Sequence, residues 1–95
     1  ADTLSVVYAI ITTTGADHPG IVAALTTALA EHGANILDIS QSIMGDFFTM
    51  ILRVSFDEHA HPIADLQAAA ETVATAQHLV VRVQSEQLFT AMTQI

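Results

Sequence analysis

The sequence predicts an α+β fold with the element order βαββαβ, in which an antiparallel sheet carries two helices on one face and a short C-terminal helix follows. Three observations lead to this prediction. Segments rich in β-branched residues alternate with two amphipathic helical stripes, and glycine or proline bounds these segments. The chain has 95 residues and 52% hydrophobic content, enough for one core. We therefore expect a single domain over residues 1–95.

The first half of the chain predicts a strand, a helix and a second strand. Residues 5–14 (SVVYAIITTT) are rich in β-branched types and stop at Gly15, which is typical of a buried strand. Residues 21–32 place apolar side chains at spacings of three and four and precede Gly33, the usual left-handed residue after a helix. From Asn35 the pattern changes to period two, which predicts a half-buried strand.

The second half predicts a hairpin partner, a second helix and a last strand. Gly45-Asp46 marks a turn, and residues 47–56 alternate large apolar side chains with other types, so they pair with the preceding strand. Pro62 suits the first turn of a helix that extends to about Gln77. Residues 79–85 form the last strand. The apolar residues that follow at helical spacing are Leu88, Phe89, Met92 and Ile95.

This element order is the ferredoxin-like plan, in which both helices pack on the same face of the sheet. The other face is left without helices, and the C-terminal helix would cover part of it. An exposed apolar face and two edge strands favour association with a second copy. We therefore predict a homodimer.

Composition narrows the classes of partner and chemistry. Ten acidic residues stand against only Arg53 and Arg82, so a net charge of −8 argues against nucleic acids and anionic membranes as partners. No apolar run approaches the roughly 20 residues that span a bilayer. The absence of cysteine removes disulfides and thiol chemistry. The first residues lack the basic segment of a signal peptide, so we expect a cytoplasmic protein.

The stretch 14–22, TGADHPGIV, joins the first strand to the first helix. Pro19 suits the first helical turn, and Gly20 leaves room for a ligand beside the backbone. The unpaired N–H groups of a helix start favour a carboxylate, and Asp17 can accept hydrogen bonds from an adjacent ammonium group, so a zwitterion fits. The same residues also suit a purely structural interpretation, in which Gly15 makes a turn and Asp17 caps the helix.

Two motifs resemble the ACT domain family. The family's first loop reads Asp, any residue, Pro-Gly and then aliphatic residues, as 17–22 do here, and its Gly-x-Asn-Ile signature resembles 33–36. Within the family, the chain is most similar to small stand-alone single-domain proteins, through residues 39–41, 47–50 and 89–95. It also resembles regulators of the glycine-cleavage operon, although those usually contain two such domains.

The sequence offers no catalytic candidate, so we expect a protein that is not an enzyme. The resemblance implies a regulatory module in which an amino acid binds between the first loop of one subunit and the second strand of its neighbour. It nominates as ligand-binding residues Asp17, His18, Pro19, Gly20, Ile21, Val22, Asn35 and Ile36. From chemistry alone, Asn35 suits either a zwitterion contact or a left-handed cap at the helix exit. Relatives carry basic residues where this chain has Ala16, His18 and Gln94, so we expect a neutral amino acid.

Other chemistry has less support in the sequence. The run at 57–61, Asp-Glu-His-Ala-His, could chelate a divalent metal through His59 and His61, but a solvated connector explains it more simply, so no metal or cofactor is predicted. As a general base, His18 would lack a nucleophile or second catalytic group beside it. Two functions remain: an amino-acid sensor whose ligand alters association with a partner protein, and a structural dimerisation module without a ligand.

Overall fold

A four-stranded antiparallel sheet with two helices on one face forms the fold, as predicted. The computed structural model describes residues 6–93, with side chains through Ala91. The elements in chain order are β1 Val6–Ala16, α1 Ile21–Glu31, β2 Asn35–Met44, β3 Phe47–Asp57, α2 Ile63–Gln77, β4 Leu79–Ser85 and α3 Glu86–Thr93. The order across the sheet is β2-β3-β1-β4, so β1 and β3 are central and β2 and β4 are the edges.

The central strand β1 continues past the point where the sequence predicted its end. Gly15 does not form a turn, because it pairs with Phe48 on β3 and with Leu79 on β4, and the strand ends at Ala16. A Cβ atom at Gly15 would lie 2.6 Å from Cδ2 of Leu79. Glycine is therefore needed for the close packing of β4 rather than for a change of chain direction.

Helix α1 packs through one stripe of side chains and ends as predicted. Ile21, Leu25 and Leu29 are buried at spacings of four. Gly33 then adopts the left-handed conformation with φ of 77°. Since Gly33 supplies this conformation, Asn35 does not cap the helix exit and instead begins β2, so that alternative was wrong.

Helix α2 begins just after Pro62, which precedes the first helical turn rather than occupying it as predicted. The backbone N–H of Ile63 donates to Oε2 of Glu58 (3.0 Å), which satisfies one of the free amides at this helix start. At the other end, His78 is left-handed with φ of 57°, the one such non-glycine residue within 6–93. Strand β4 begins at the next residue.

Strands β2 and β3 form the predicted hairpin around the turn at Gly45, whose φ is 60°. Their register is regular from Met44, opposite Phe47, back to Asp38, opposite Arg53. A bulge between Ile36 and Asp38 then leaves the residue between them without a partner opposite. The outer edge strand is therefore regular over only part of its length.

The core lies between the helices and the sheet face that they cover. Its strand residues alternate along β1, β3 and β4, and the helices supply the rest. The fully buried large side chains of this core are those of Ile11, Ile21, Leu25, Leu29, Met50, Leu52, Val54 and Leu66. Thr13 is also fully buried on this face, and its hydroxyl has no hydrogen-bond partner among the described residues.

The opposite sheet face, called the free face below, carries no helix over much of its area. Its most exposed apolar side chains are Met44, Phe47 and Val80, at 78%, 68% and 62%. Helix α3 contacts β1 and β4, so the C-terminal helix is confirmed, although the side chain of Met92 and Ile95 lie outside the described residues. Within 6–93, no helix is long and apolar enough to cross a membrane.

Candidate functional site

The binding loop, residues 17–20, leads from the end of β1 to the start of α1. Gly20 is the residue before the helix and has φ of 89°, and no side chain caps the helix. Its carbonyl accepts the first helical hydrogen bond, from the N–H of Ala24 (2.9 Å). The amides of the first turn have no partners within a helix, so they form a positively polarised end that suits a carboxylate.

Two details of this loop differ from the prediction. Asp17 does not cap α1, because Gly20 occupies the capping position and makes no side-chain bond. Pro19 lies in the turn before the helix rather than in its first helical turn. The structural interpretation that explained Asp17 as a cap therefore fails, and Asp17 is an exposed residue of the loop that leads to the helix.

Asp17 holds the loop through its backbone. Its N–H donates to the carbonyl of Asp46 in the β2–β3 turn (2.8 Å). This bond joins the binding loop to the hairpin end that carries Met44 and Phe47. The Asp17 side chain makes no hydrogen bond among the described residues, which leaves its oxygens available to a ligand.

His18 connects the loop to the end of α2. Its Nε2 lies 3.0 Å from the carbonyl oxygen of Gln77, the last residue of α2, and its Nδ1 lies 3.1 Å from the carbonyl oxygen of Pro19. The ring is half-buried between the two helices' ends. The structure thus engages the His18 side chain with main-chain carbonyls of the protein itself.

Asn35 and Ile36 lie far from the loop within one chain. Asn35 is opposite Ser55 on β3, whereas the loop end of the sheet is at Phe47 and Phe48. The seven-residue interval along β3 corresponds to about 24 Å at the usual strand rise. The structure therefore brings together the loop residues 17–22 but not the loop and Asn35 of the same chain. A site that uses both sets requires a second subunit.

Permanent positive charge is absent from the described part of the loop. The two arginines, Arg53 and Arg82, lie on the free face. Arg53 donates from Nε to Oε1 of Glu86 (2.6 Å), and its guanidinium lies 4.5 Å from the ring centre of Tyr8. This hydrogen bond lowers the pKa of the Glu86 carboxyl and raises that of Arg53. Neither cation is placed to bind an anionic group at the loop.

The segment that contains His59 and His61 makes hydrogen bonds that fix the local backbone rather than forming a cluster of metal ligands. The N–H of His59 donates to Oδ1 of Asp57 (3.0 Å), and the N–H of His61 donates to the Asp57 carbonyl (2.8 Å). The His61 ring packs so closely on Gly33 that a Cβ atom there would lie 2.6 Å from it. Within residues 6–93, no three histidine or acidic side chains are arranged to hold a metal ion.

A separate groove of about 440 Å³ lies at the end of β1 away from the loop. It is lined by both apolar and acidic side chains, among them Val6, Tyr8, Phe56, Glu58 and Glu86. None of the residues nominated from the sequence lines it. Glu58 and Glu86 already bond to Ile63 and Arg53, so the groove's carboxylates serve the fold.

Two contributors to the loop were not identified from the sequence. Gln77 and Asp46 supply the carbonyl oxygens that fix His18 and Asp17, and both act through the backbone. Their side chains carry no signal of this role, because any residue at either position offers the same carbonyl. Only the tertiary fold places these groups against the loop.

Comparisons with known proteins agree with the fold and the loop motif. Residues 7–84 match the sequence profile of the ACT domain family. A UPF0237 protein of Corynebacterium efficiens is 53% identical over 88 residues, which span 93% of this chain and 99% of the relative. A solved ACT domain protein from Streptococcus pneumoniae superposes with a TM-score of 0.76 at 37% identity, covering 87% of this chain and 93% of that one.

A further solved structure resembles the chain in fold alone. It is provisionally described as a glycine cleavage system transcriptional repressor and has a TM-score of 0.76 at 21% identity. The match covers 84% of this chain but 45% of that protein. This agrees with the expectation that such regulators are longer than a single domain.

Proposed function

Because the chain belongs to the ACT domain family, whose members are typically ligand-binding regulatory modules, we propose that it binds a neutral amino acid at the binding loop and regulates a partner protein in trans. The proposal gives the chain no catalytic step of its own. It assigns ligand contact to the loop residues 17–22 of one subunit and to Asn35 and Ile36 of another. It also assigns the protein to the cytoplasm.

The open start of α1 beside Asp17 is the observation that carries the proposal. Gly20 is exposed, and apart from its chain neighbours no described residue lies within 4 Å of the position that a Cβ atom would take there. A ligand carboxylate can therefore reach the first-turn amides, while the exposed Asp17 carboxylate offers a partner for the ammonium group. The lack of a cation at the loop favours a ligand with no second negative group.

Calorimetry with each of the twenty amino acids tests the proposal. A ligand of five to eight heavy atoms supports dissociation constants from about micromolar to sub-millimolar. We expect Asp17→Asn to weaken binding at least about tenfold, since it removes the charge facing the ammonium group. Glu71→Gln, on the outer surface of α2, is the matched control and should bind like the wild type.

Gly20→Ala and Gly45→Ala form a second matched pair. Both positions have positive φ, 89° and 60°, and open space where a Cβ atom would lie, so both substitutions carry a similar backbone cost. We expect only Gly20→Ala to lose the ligand, because only Gly20 borders the helix start. Equal binding by the two variants, or no binding of any amino acid to the wild type, would contradict the proposal.

A purely structural dimerisation module is the second candidate function. The observation that favours it is the distribution of the exposed large apolar side chains, all of which belong to the free face, to β2 or to α3. They are Val6, Tyr8, Leu37, Ile39, Ile43, Met44, Phe47, Ile51, Val80 and Leu88. Apolar surface concentrated in this way is typical of an interface.

Sedimentation equilibrium distinguishes the two candidates. If association needs no ligand, the wild type forms dimers, and none of the twenty amino acids changes the dimer dissociation constant. We expect Phe47→Ser to weaken the dimer by about tenfold or more, because it removes a large exposed apolar contact. Ala64→Ser, an exposed change on α2, is the control. A monomeric wild type at all concentrations would contradict the structural function.

A further inference from the structure

We propose that His18 is a proton-dependent latch of the binding loop, so that protonation of its imidazole and binding of a ligand carboxylate at α1 favour each other. The coupling to a ligand rests on the proposed function, since it names how that site is regulated. The proton dependence of the loop concerns the ligand-free protein and depends on the contacts of His18 alone.

The hydrogen-bond chemistry of the two contacts carries the proposal. Nδ1 and Nε2 of His18 each face a carbonyl oxygen, at 3.1 Å from Pro19 and 3.0 Å from Gln77. A carbonyl oxygen only accepts hydrogen bonds, and a neutral imidazole has a single N–H to donate. Both contacts can therefore form together only when the ring carries two protons. In the neutral ring, one nitrogen presents a lone pair to a carbonyl oxygen, and that contact opens.

The two contacts hold different parts of the molecule. The Gln77 contact spans 59 positions of sequence and joins the loop to the end of α2, while the Pro19 contact fixes the loop immediately before Gly20. Losing either contact frees the turn that leads into α1. The protonated ring thus holds the turn in the conformation that presents the helix amides to a ligand.

The two helix ends set the sign of the coupling. The C-terminal end of α2 is negatively polarised, and the N-terminal end of α1 is positively polarised. A carboxylate bound at α1 attracts a positive charge on the nearby ring. Asp17, Asp46 and His78 are the titratable residues next to these contacts. The first turn of α1 holds no acidic residue and the last turn of α2 no basic residue.

Hydrogen exchange in the ligand-free protein tests the latch directly. Imidazole side chains change charge between pH 5 and 8. The amides of Asp17 and Ala24 donate to the carbonyls of Asp46 and Gly20, and we expect their protection factors to rise at least about threefold from pH 8 to pH 5.5, after correction for intrinsic exchange. His18→Gln, whose amide donates at any pH, should remove this dependence, and His78→Gln should keep it. Equal dependence in His18→Gln would overturn the proposal.

Calorimetry with glycine, which carries only the two charged groups of a zwitterion, tests the linkage. Because coupling between sites is reciprocal, we expect glycine to bind about fivefold more tightly at pH 5.5 than at pH 8, with net proton uptake measured from two buffers of different ionisation heat. His18→Gln should bind with a pH-independent constant. Protonation of Asp17 would instead weaken glycine binding at low pH. The direction of the pH dependence therefore shows whether His18 or Asp17 is responsible.

The outcomes separate this proposal from the proposed function. If glycine binds with the same affinity at both pH values, the linkage is overturned while the ligand site stands. If glycine and every other amino acid fail to bind, the proposed function fails and the exchange measurement alone decides the latch. Loss of the pH dependence in His78→Gln would overturn the assignment to His18.

Discussion

The two faces of the sheet are built from alternate residues of the same strands, yet they differ in burial, charge and apolar exposure. Leu52 on β3 is fully buried under the helices, while its neighbour Ile51 on the free face is 42% exposed. Both arginines also lie on the free face, in a chain of net charge −8. Adjacent residues in one strand therefore differ in role: one parity stabilises the domain, and the other forms exposed apolar and charged surface.

Truncating the two neighbours on β3 gives the largest expected contrast. Leu52→Ala should lower the free energy of unfolding by about 3 kcal/mol, because it leaves a cavity at a fully buried position. Ile51→Ala should lower it by less than about 1 kcal/mol. Urea denaturation of both variants measures the difference. Similar losses in a monomeric sample would show that the free face also contributes to the fold of the single chain.

Gly15→Ala tests the close packing of β4 against β1 on the covered face. The added methyl group would meet Cδ2 of Leu79 at 2.6 Å, so we expect a loss of about 1–2 kcal/mol in unfolding free energy. A double-mutant cycle with Leu79→Ala measures whether the clash is the cause. Strict additivity of the two substitutions would contradict this explanation.

Thr13→Val should act in the opposite direction on the same face. The buried Thr13 hydroxyl has no hydrogen-bond partner in the described part of the chain, and a methyl group of similar size needs none. We expect the free energy of unfolding to rise by about 1 kcal/mol. Thr14→Val, at an exposed position of β1, is the control and should change it little. A destabilised Thr13→Val variant would point to a role for the hydroxyl.

The smallest expected effect concerns the ion pair that anchors α3 to the free face. The hydrogen bond from Arg53 lowers the pKa of Glu86 below the ordinary 4.5. Such a carboxyl stabilises the fold above its unfolded pKa, and this is lost as the pH falls through the folded value. The wild type should therefore exceed Glu86→Gln in stability at pH 6 and less so at pH 3. Because the pair is exposed, salt should reduce the difference. A constant difference would contradict the assignment.

The periodic pattern predicted most of the fold because it reflects which side chains are buried. Strand β4 was predicted with its observed bounds, and α2 with its observed end at Gln77. Gly15 was misinterpreted because a glycine required by a neighbouring strand looks the same in sequence as a glycine required by a turn. Asn35 was ambiguous because an asparagine that caps a helix exit looks the same in sequence as one that begins a strand. In the structure, Gly33 takes the left-handed position.

The candidate site was predictable in its location but not in its internal contacts. The loop 17–20 was found through its Pro-Gly step and its acidic residue. The direction of the His18 ring depends on Gln77, which is distant in sequence, and the position of Asp17 depends on a carbonyl at Asp46. Local spacing carries no information about such long-range contacts, so the sequence left open the alternative that Asp17 caps α1, which the structure contradicts.

The bulge between Ile36 and Asp38 also bears on aggregation. An edge strand with exposed Ile39 and Ile43 and no lysine or proline is a template on which further chains could add without end. The bulge confines the regular ladder with β3 to residues 38–44, and a bulge bends its strand locally. A strand added there meets only seven residues of regular ladder. Because a bent edge is a poorer template for further strands, we expect the bulge to limit edge-to-edge growth of this chain.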